Sequence, residues 1–444
     1  MRALGFVVLA LVACGPPRPR VDAGTPIDAG EQDAGIDAGR ERGQDPDAGW
    51  SVALPLPADA GASTRVGVSV SMALDPFGQP MIAAYIIDPN SDGTTSDNRL
   101  VFTRWNGADK AWQAPVQVEV VGTIDVAHPN RQISLARHPT TGQIGIVYVN
   151  ESGVVRYGHS EDEGVNFSLE TVSAAVSDGS KLSNPQLAYA GDALHVAYAA
   201  RPNCPAGMCG KIIHRTRSGT GAFTDTEVQG ALAARDWPFS MALDSTGAPA
   251  VAFFSDDMLG AVTLSYYSGG SLQTIATSAA PVDVAAKTPS VSLTLAGDVP
   301  RVAYHLLVPT SPDAQLWFSK RASGAWSTPV ALPRNGPVGM LDTTQWYQAI
   351  VSEGQEKVAI AANFQRALAV GQMCGGPKLG RSTDGATFSV CHPRTPGTMA
   401  STITQGGLWV NVASHRPDKL TIVLDYETNA NPSIGGGVIL YREP

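Results

Sequence analysis

Charge is scarce in this chain: only 16% of its 444 residues are Asp, Glu, Lys or Arg, and acids outnumber bases by 40 to 31. A net charge of -9 argues against a nucleic-acid partner and leaves no polybasic patch for a membrane face. Long apolar runs are missing as well, since the stretch from Leu4 to Val12 is too short to cross a bilayer. There is no Gly-x-Ser-x-Gly elbow, no His-Glu-x-x-His, no phosphate-binding loop and no dinucleotide fingerprint. Those absences exclude the best-marked hydrolase, zinc-protease and nucleotide-dependent chemistries. Cysteine is limited to five residues and aromatic residues to 7%.

Glycine (46) and proline (32) are plentiful, which suits many short strands joined by tight turns. One phrase recurs seven times: a buried strand, a short turn, then a second strand closing on a small residue and a large apolar one. The second strands end at Tyr85, Tyr148, Tyr198, Phe253, Tyr304, Ile360 and Leu424. Their spacing of roughly 50 to 64 residues is that of a propeller or solenoid, in which each unit buries its faces on its neighbours. The recurring tyrosines therefore read as packing positions. A tight Gly turn and an aromatic residue precede the outer strand at Trp112, Phe167, Phe223, Trp326 and Phe388, with Leu272 in the fourth unit.

The seventh unit lacks its outer strand, and Trp50-Ser-Val-Ala-Leu-Pro-Leu reads like the outer strands elsewhere. The expectation is an all-β, seven-bladed β-propeller over residues 50–444, closed by an N-terminal strand. Six blades and an extra hairpin is the other arrangement.

Two segments resemble known families. Leu11-Val12-Ala13-Cys14 resembles the bacterial lipobox, which implies a signal peptide over residues 1–13 and a lipidated Cys14. Gly15 in place of Asp resembles the outer-membrane sorting pattern, so the implied location is the cell envelope. Asp-Ala-Gly repeats through residues 15–49 cannot bury enough to order themselves and read as a disordered tether. Ser160-Glu-Asp162-Glu-Gly164-Val-Asn-Phe167 resembles the Asp-box of sialidase-like propellers, as does the shorter Ser382-Thr-Asp384-Gly-Ala-Thr-Phe388. In that family the Asp-boxes lie on the face away from the active site. Its Phe/Tyr-Arg-Ile-Pro motif is absent here, and Tyr347 and Glu353 fall at opposite ends of one inner strand. Enzymatic cleavage is thus not the expectation.

Four cysteines form close pairs, Cys204 with Cys209 and Cys374 with Cys391. In an exported chain these read as two local disulfides. The loop Asp88-Pro-Asn90-Ser-Asp92-Gly93 matches the start of a calcium loop, with Asp97 closing it one place late, so Asp88, Asn90, Asp92 and Asp97 are candidate ligands for structural Ca2+. A turn capping its own backbone is the other reading. Arg65, Arg131, Arg235, Asp236, Trp237 and Trp346 precede inner strands and are expected around one mouth of the ring, where arginines hold an anion and tryptophans stack on a sugar. The combined reading is a lipid-anchored, monomeric recognition module for a glycan or an envelope protein. A degenerate glycosidase or lyase and an assembly scaffold are the alternatives.

Overall fold

In the computed structural model, the described residues are 49–55, 64–87, 98–122, 133–150, 152–173, 181–201, 210–228, 238–256, 262–277, 290–306, 315–333, 342–353, 357–367, 373–391, 403–416, 419–428 and 435–443. They form strands and turns and contain no helix. Blade 1 comprises β2 (Arg65–Leu74), β3 (Pro80–Ile87), β4 (Arg99–Asn106), β5 (Ala111–Trp112) and β6 (Val116–Val120). Blade 2 comprises β7 (Ile133–Arg137), β8 (Ile144–Val149), β9 (Val155–Ser160) and β10 (Ser168–Thr171). Blade 3 follows with β11 (Lys181–Ala190), β12 (Ala193–Arg201), β13 (Lys211–Ser218) and β14 (Thr224–Val228). Blade 4 holds β15 (Ser240–Leu243), β16 (Pro249–Asp256), β17 (Val262–Ser268) and β18 (Ser271–Thr277). In blade 5 are β19 (Ser290–Ala296), β20 (Val299–Leu306), β21 (Gln315–Ala322), β22 (Ala325–Trp326) and β23 (Val330–Ala331). Blade 6 contains β24 (Asp342–Glu353), β25 (Lys357–Ala367), β26 (Met373–Ser382) and β27 (Ser389–Cys391).

Blade 7 is the composite one. β28 (Ile403–Arg416), β29 (Lys419–Thr428) and β30 (Gly435–Arg442) are completed by β1 (Gly49–Pro55), which pairs antiparallel with β30 from Gly49↔Arg442 to Pro55↔Gly437. Leu54 and Ala53 of this strand are buried in the core shared by blades 7, 1 and 6. Successive inner strands touch all the way round, and β28 meets β2 to close the ring. The protein is a seven-bladed β-propeller.

Second strands are apolar on both faces because each is packed between two other blades. Alternation then divides their residues. In β3, Ile82, Ala84 and Ile86 join the core shared with blade 7, while Met81, Ala83 and Tyr85 join that shared with blade 2. The strand register refines the repeat. Pairings Leu135↔Ile146, Met72↔Ile82 and Ile350↔Ile360 put Ala84 and Ala362 at the place held by Tyr148. Tyr85 thus faces blade 2, where its hydroxyl donates to the Val149 carbonyl at 3.0 Å.

Serines on the inner strands tie blade to blade. Ser71 Oγ accepts the Leu135 amide at 3.0 Å, and Ser134 accepts that of Leu187 at 3.1 Å. Ser240 accepts from Leu293 at 3.0 Å, and Ser292 from Ile350 at 3.3 Å. Each caps an inner-strand amide that has no strand partner on that side.

Both Asp-box turns have the geometry the resemblance implies. Ser160 Oγ donates to Asp162 at 2.7 Å and accepts the Gly164 amide at 2.8 Å, while Asp162 accepts the Asn166 amide at 2.9 Å. These donors hold the exposed Asp162 carboxyl down to about 2. Gly164 adopts φ +87°, and a Cβ there would meet Phe102 Cε1 at 2.2 Å. Phe167 packs edge-on against Phe102, and Phe388 against Phe318, at 5.5 and 5.2 Å. At the same landmark Leu272 is 49% exposed.

His195 and His214 sit on neighbouring strands β12 and β13 of blade 3. Their rings stack at 5.3 Å, with His195 Nδ1 3.1 Å from His214 Nε2.

Candidate functional site

In each antiparallel blade, turns from first to second strand and from third to fourth strand share one face; the remaining loops share the other. The expected mouth belongs to this second face. There Arg65 opens β2 opposite Ile87, and Trp346 lies in β24 between the pairs Thr344↔Phe364 and Gln348↔Ala362, where the register shifts. Asn184 lies within β11 and is fully buried. Arg131, Arg235, Asp236 and Trp237 lie outside the described residues, as do Asp88, Asn90, Asp92, Asp97, Cys14, Cys204, Cys209 and residues 1–48. Cys391 pairs across the sheet with Leu379, five positions from Cys374 along β26.

A built cleft lies on the other face, the one bearing the Asp-box turns. It occupies about 790 Å³ between blades 2 and 3. Blade 2 contributes the β7–β8 turn (His138, Thr141, Gln143), the end of β9 (Tyr157, His159), Glu161 and Glu170. Blade 3 contributes Tyr189, Asp192 and Leu194 around the β11–β12 turn, and Arg217 to Thr220 leaving β13.

The floor is a pair of tyrosines from different blades, whose hydroxyls are 2.7 Å apart. The Tyr157 hydroxyl also lies 3.2 Å from Gln143 Oε1, and Gln143 Nε2 lies 3.4 Å from His159 Nδ1. Gly145 makes this floor possible. A Cβ at that position would stand 2.3 Å from the Tyr189 hydroxyl and 3.0 Å from the Tyr157 ring. Burial pushes the Tyr157 hydroxyl up to about 12 and Tyr189 higher still, so both remain neutral hydrogen-bonding groups.

One wall is an ion pair across the blades. Arg217 Nη1 donates to Glu170 Oε2 at 2.6 Å and Nη2 to Glu170 Oε1, a two-pronged contact. This bonding to Glu170 raises the Arg217 pKa above its ordinary value. The guanidinium also lies over Phe223 at 4.7 Å and Tyr157 at 5.6 Å. On the opposite wall His138 Nδ1 accepts the Thr140 and Thr141 amides at 3.2 and 3.1 Å, which leaves the proton of the neutral ring on Nε2. That nitrogen is 3.8 Å from Asp192, and the ring sits against Tyr189 at 5.0 Å.

Sequence reasoning did not single out this cleft. The signal it passed over is Gly145, because a glycine inside a strand marks a close approach by another group. Among the described residues no three His, Cys, Asp or Glu side chains form a metal-binding group.

No protein-family profile matches the chain, and no curated protein sequence matches it. Among solved structures it is similar to the α-L-arabinofuranosidase Arb93A from Fusarium graminearum, in complex with an iminosugar inhibitor. The identity is 11% and the TM-score 0.49, over 89% of this chain and 97% of that one. It is similar also to Aleuria aurantia lectin, a six-bladed β-propeller with a novel fucose recognition mode, at 14% identity and TM-score 0.44 over 77% and 99% of the two chains. A third similar structure is AofleA from Arthrobotrys oligospora, at 12% identity and TM-score 0.43 over 78% and 95%.

Proposed function

We propose that this chain is a non-enzymatic recognition protein that binds a glycan in the cleft between its second and third blades. The observation that carries the reading is the floor of the cleft. Two interlocked tyrosine hydroxyls, backed by Gln143 and His159, present fixed donors and acceptors beside ring surfaces, the combination a polyhydroxyl ligand needs. Glu170 is not free for general acid-base work, because both its oxygens are bonded to Arg217. Lipidation of Cys14 and a tether over residues 15–49 would hold the propeller at the cell envelope, facing outer-membrane or surface glycans.

Binding to an immobilised saccharide panel tests this. The wild type is expected to bind, and Tyr189→Phe to bind weakly while remaining folded, at a stability cost of about 1 kcal/mol. Loss on Arg131→Ala or Arg235→Ala instead would move the site to the opposite mouth. Turnover of fluorogenic glycosides would replace recognition with catalysis.

A further inference from the structure

Resting on the glycan reading of this cleft, we infer that Glu170 makes the site selective for uncharged saccharides by consuming the guanidinium of Arg217. An acidic sugar is held through paired N–H donors of an arginine or through a lysine. Among the described residues lining the cleft, Arg217 is the only Arg or Lys. Its Nη1 and Nη2 both bond to Glu170. The other paired edge, which includes Nε, is closed: Nε is buried beneath the surface without a hydrogen-bond partner. Neither edge of the guanidinium is left to a ligand carboxylate.

The histidines do not replace it. His138 spends Nδ1 on two backbone amides and turns Nε2 toward Asp192, while His159 places Nδ1 beside Gln143. The cleft also holds the carboxylates of Glu161 and Asp192, the latter 83% exposed at the rim. A ligand carboxylate would therefore enter against two like charges and find no free guanidinium or ammonium among the described lining residues. A neutral sugar meets no such repulsion and keeps the tyrosine, glutamine and histidine groups as partners.

Two matched immobilised panels decide the matter, one of neutral mono- and disaccharides and one of sialylated and uronic-acid saccharides. The wild type is expected to bind neutral sugars about tenfold or more tightly than acidic ones, the scale set by an unpaired buried charge. Glu170→Gln frees the guanidinium and should narrow that ratio by about tenfold. Asp192→Asn, at an exposed position that does not endanger folding, should narrow it about two- to threefold and carries the test if Glu170→Gln melts early. Equal or tighter wild-type binding of acidic sugars overturns the selectivity while leaving the glycan site standing. An unchanged ratio in Glu170→Gln that melts like the wild type also overturns it. Silence on both panels sinks the glycan reading itself, and binding of lysine- or arginine-bearing peptides in its place would assign the cleft to a cationic partner.

Discussion

Tyr157 and Tyr189 face each other across the boundary between two blades, hydroxyl to hydroxyl at 2.7 Å, over a glycine that leaves them room. Gly145→Ala is expected to push the pair apart, since its methyl would stand 2.3 Å from the Tyr189 oxygen. Overpacking of this kind costs about 1–3 kcal/mol. The variant should unfold at lower denaturant and bind saccharide weakly. Tyr189→Phe removes one hydrogen bond at about 1 kcal/mol and tells polar loss apart from steric loss. Wild-type stability and binding in Gly145→Ala would show that the floor is not a constrained element.

The closing strand should be worth more than its length suggests. Leu54 is 0% exposed, so Leu54→Ala is expected to cost about 2–5 kcal/mol. Deleting residues 49–55 strips β30 of its outer partner and leaves an open edge. Light scattering should then report association between molecules; a monodisperse monomer of unchanged stability would contradict the closure.

Blade-to-blade serines give a test of ring cohesion. Ser71→Ala leaves the buried Leu135 amide without its acceptor, a loss of about 1–3 kcal/mol. Hydrogen exchange at Leu135 should quicken more than at amides in the blade interior. Uniform exchange would mean that the serine bonds do not control separation of neighbouring blades.

Acid should loosen blade 3. Burial, with the neighbouring His195 as a lesser cause, lowers His214 from 6.5 to about 4, and His195 is lowered too by burial. Between pH 6.5 and 4 the unfolded chain binds protons that the folded one refuses, so stability falls as pH falls and levels off below about 4. For His214 the loss is on the order of 3 kcal/mol. His214→Gln should flatten this part of the stability profile, and an unaltered slope would assign the acid sensitivity elsewhere.

For calcium, we propose that Asp88, Asn90, Asp92 and Asp97 bind the ion structurally. Melting with calcium and with chelator should then differ by several degrees, a difference abolished by Asp92→Ala. Identical curves would leave the loop as a self-capped turn.

Much of the architecture was legible because its causes are local and periodic. Alternation marked the strands, tight glycine turns marked the hairpins, and the incomplete seventh repeat pointed to Trp50 and thence to β1. Register was harder. Tyr85 sits beside Ala84, and only the pairing of β3 with β2 decides which of the two occupies the repeated place. The cleft was hardest, since Glu170 and Arg217 are 47 positions apart and meet only through packing of two blades. A trace was nonetheless present. Three places before the repeated position, the second strands carry Met81, Gly145, His195, Ala250, Arg301, Ala359 and Thr421. At two of these places the structure has something particular at the next boundary: the tyrosine floor at Gly145, and at Arg301 a buried guanidinium donating to the Lys357 carbonyl at 2.9 Å.

Because Gly49 pairs with Arg442, the two ends of the propeller lie side by side in one sheet. A short peptide linking them would leave every blade intact, so the chain could be recut in another surface loop and still fold to the same ring. Circularly permuted versions would place the ends wherever a fusion or a label is wanted, including beside the cleft. Where the polypeptide starts is thus a property of its sequence order and not of the shape it makes.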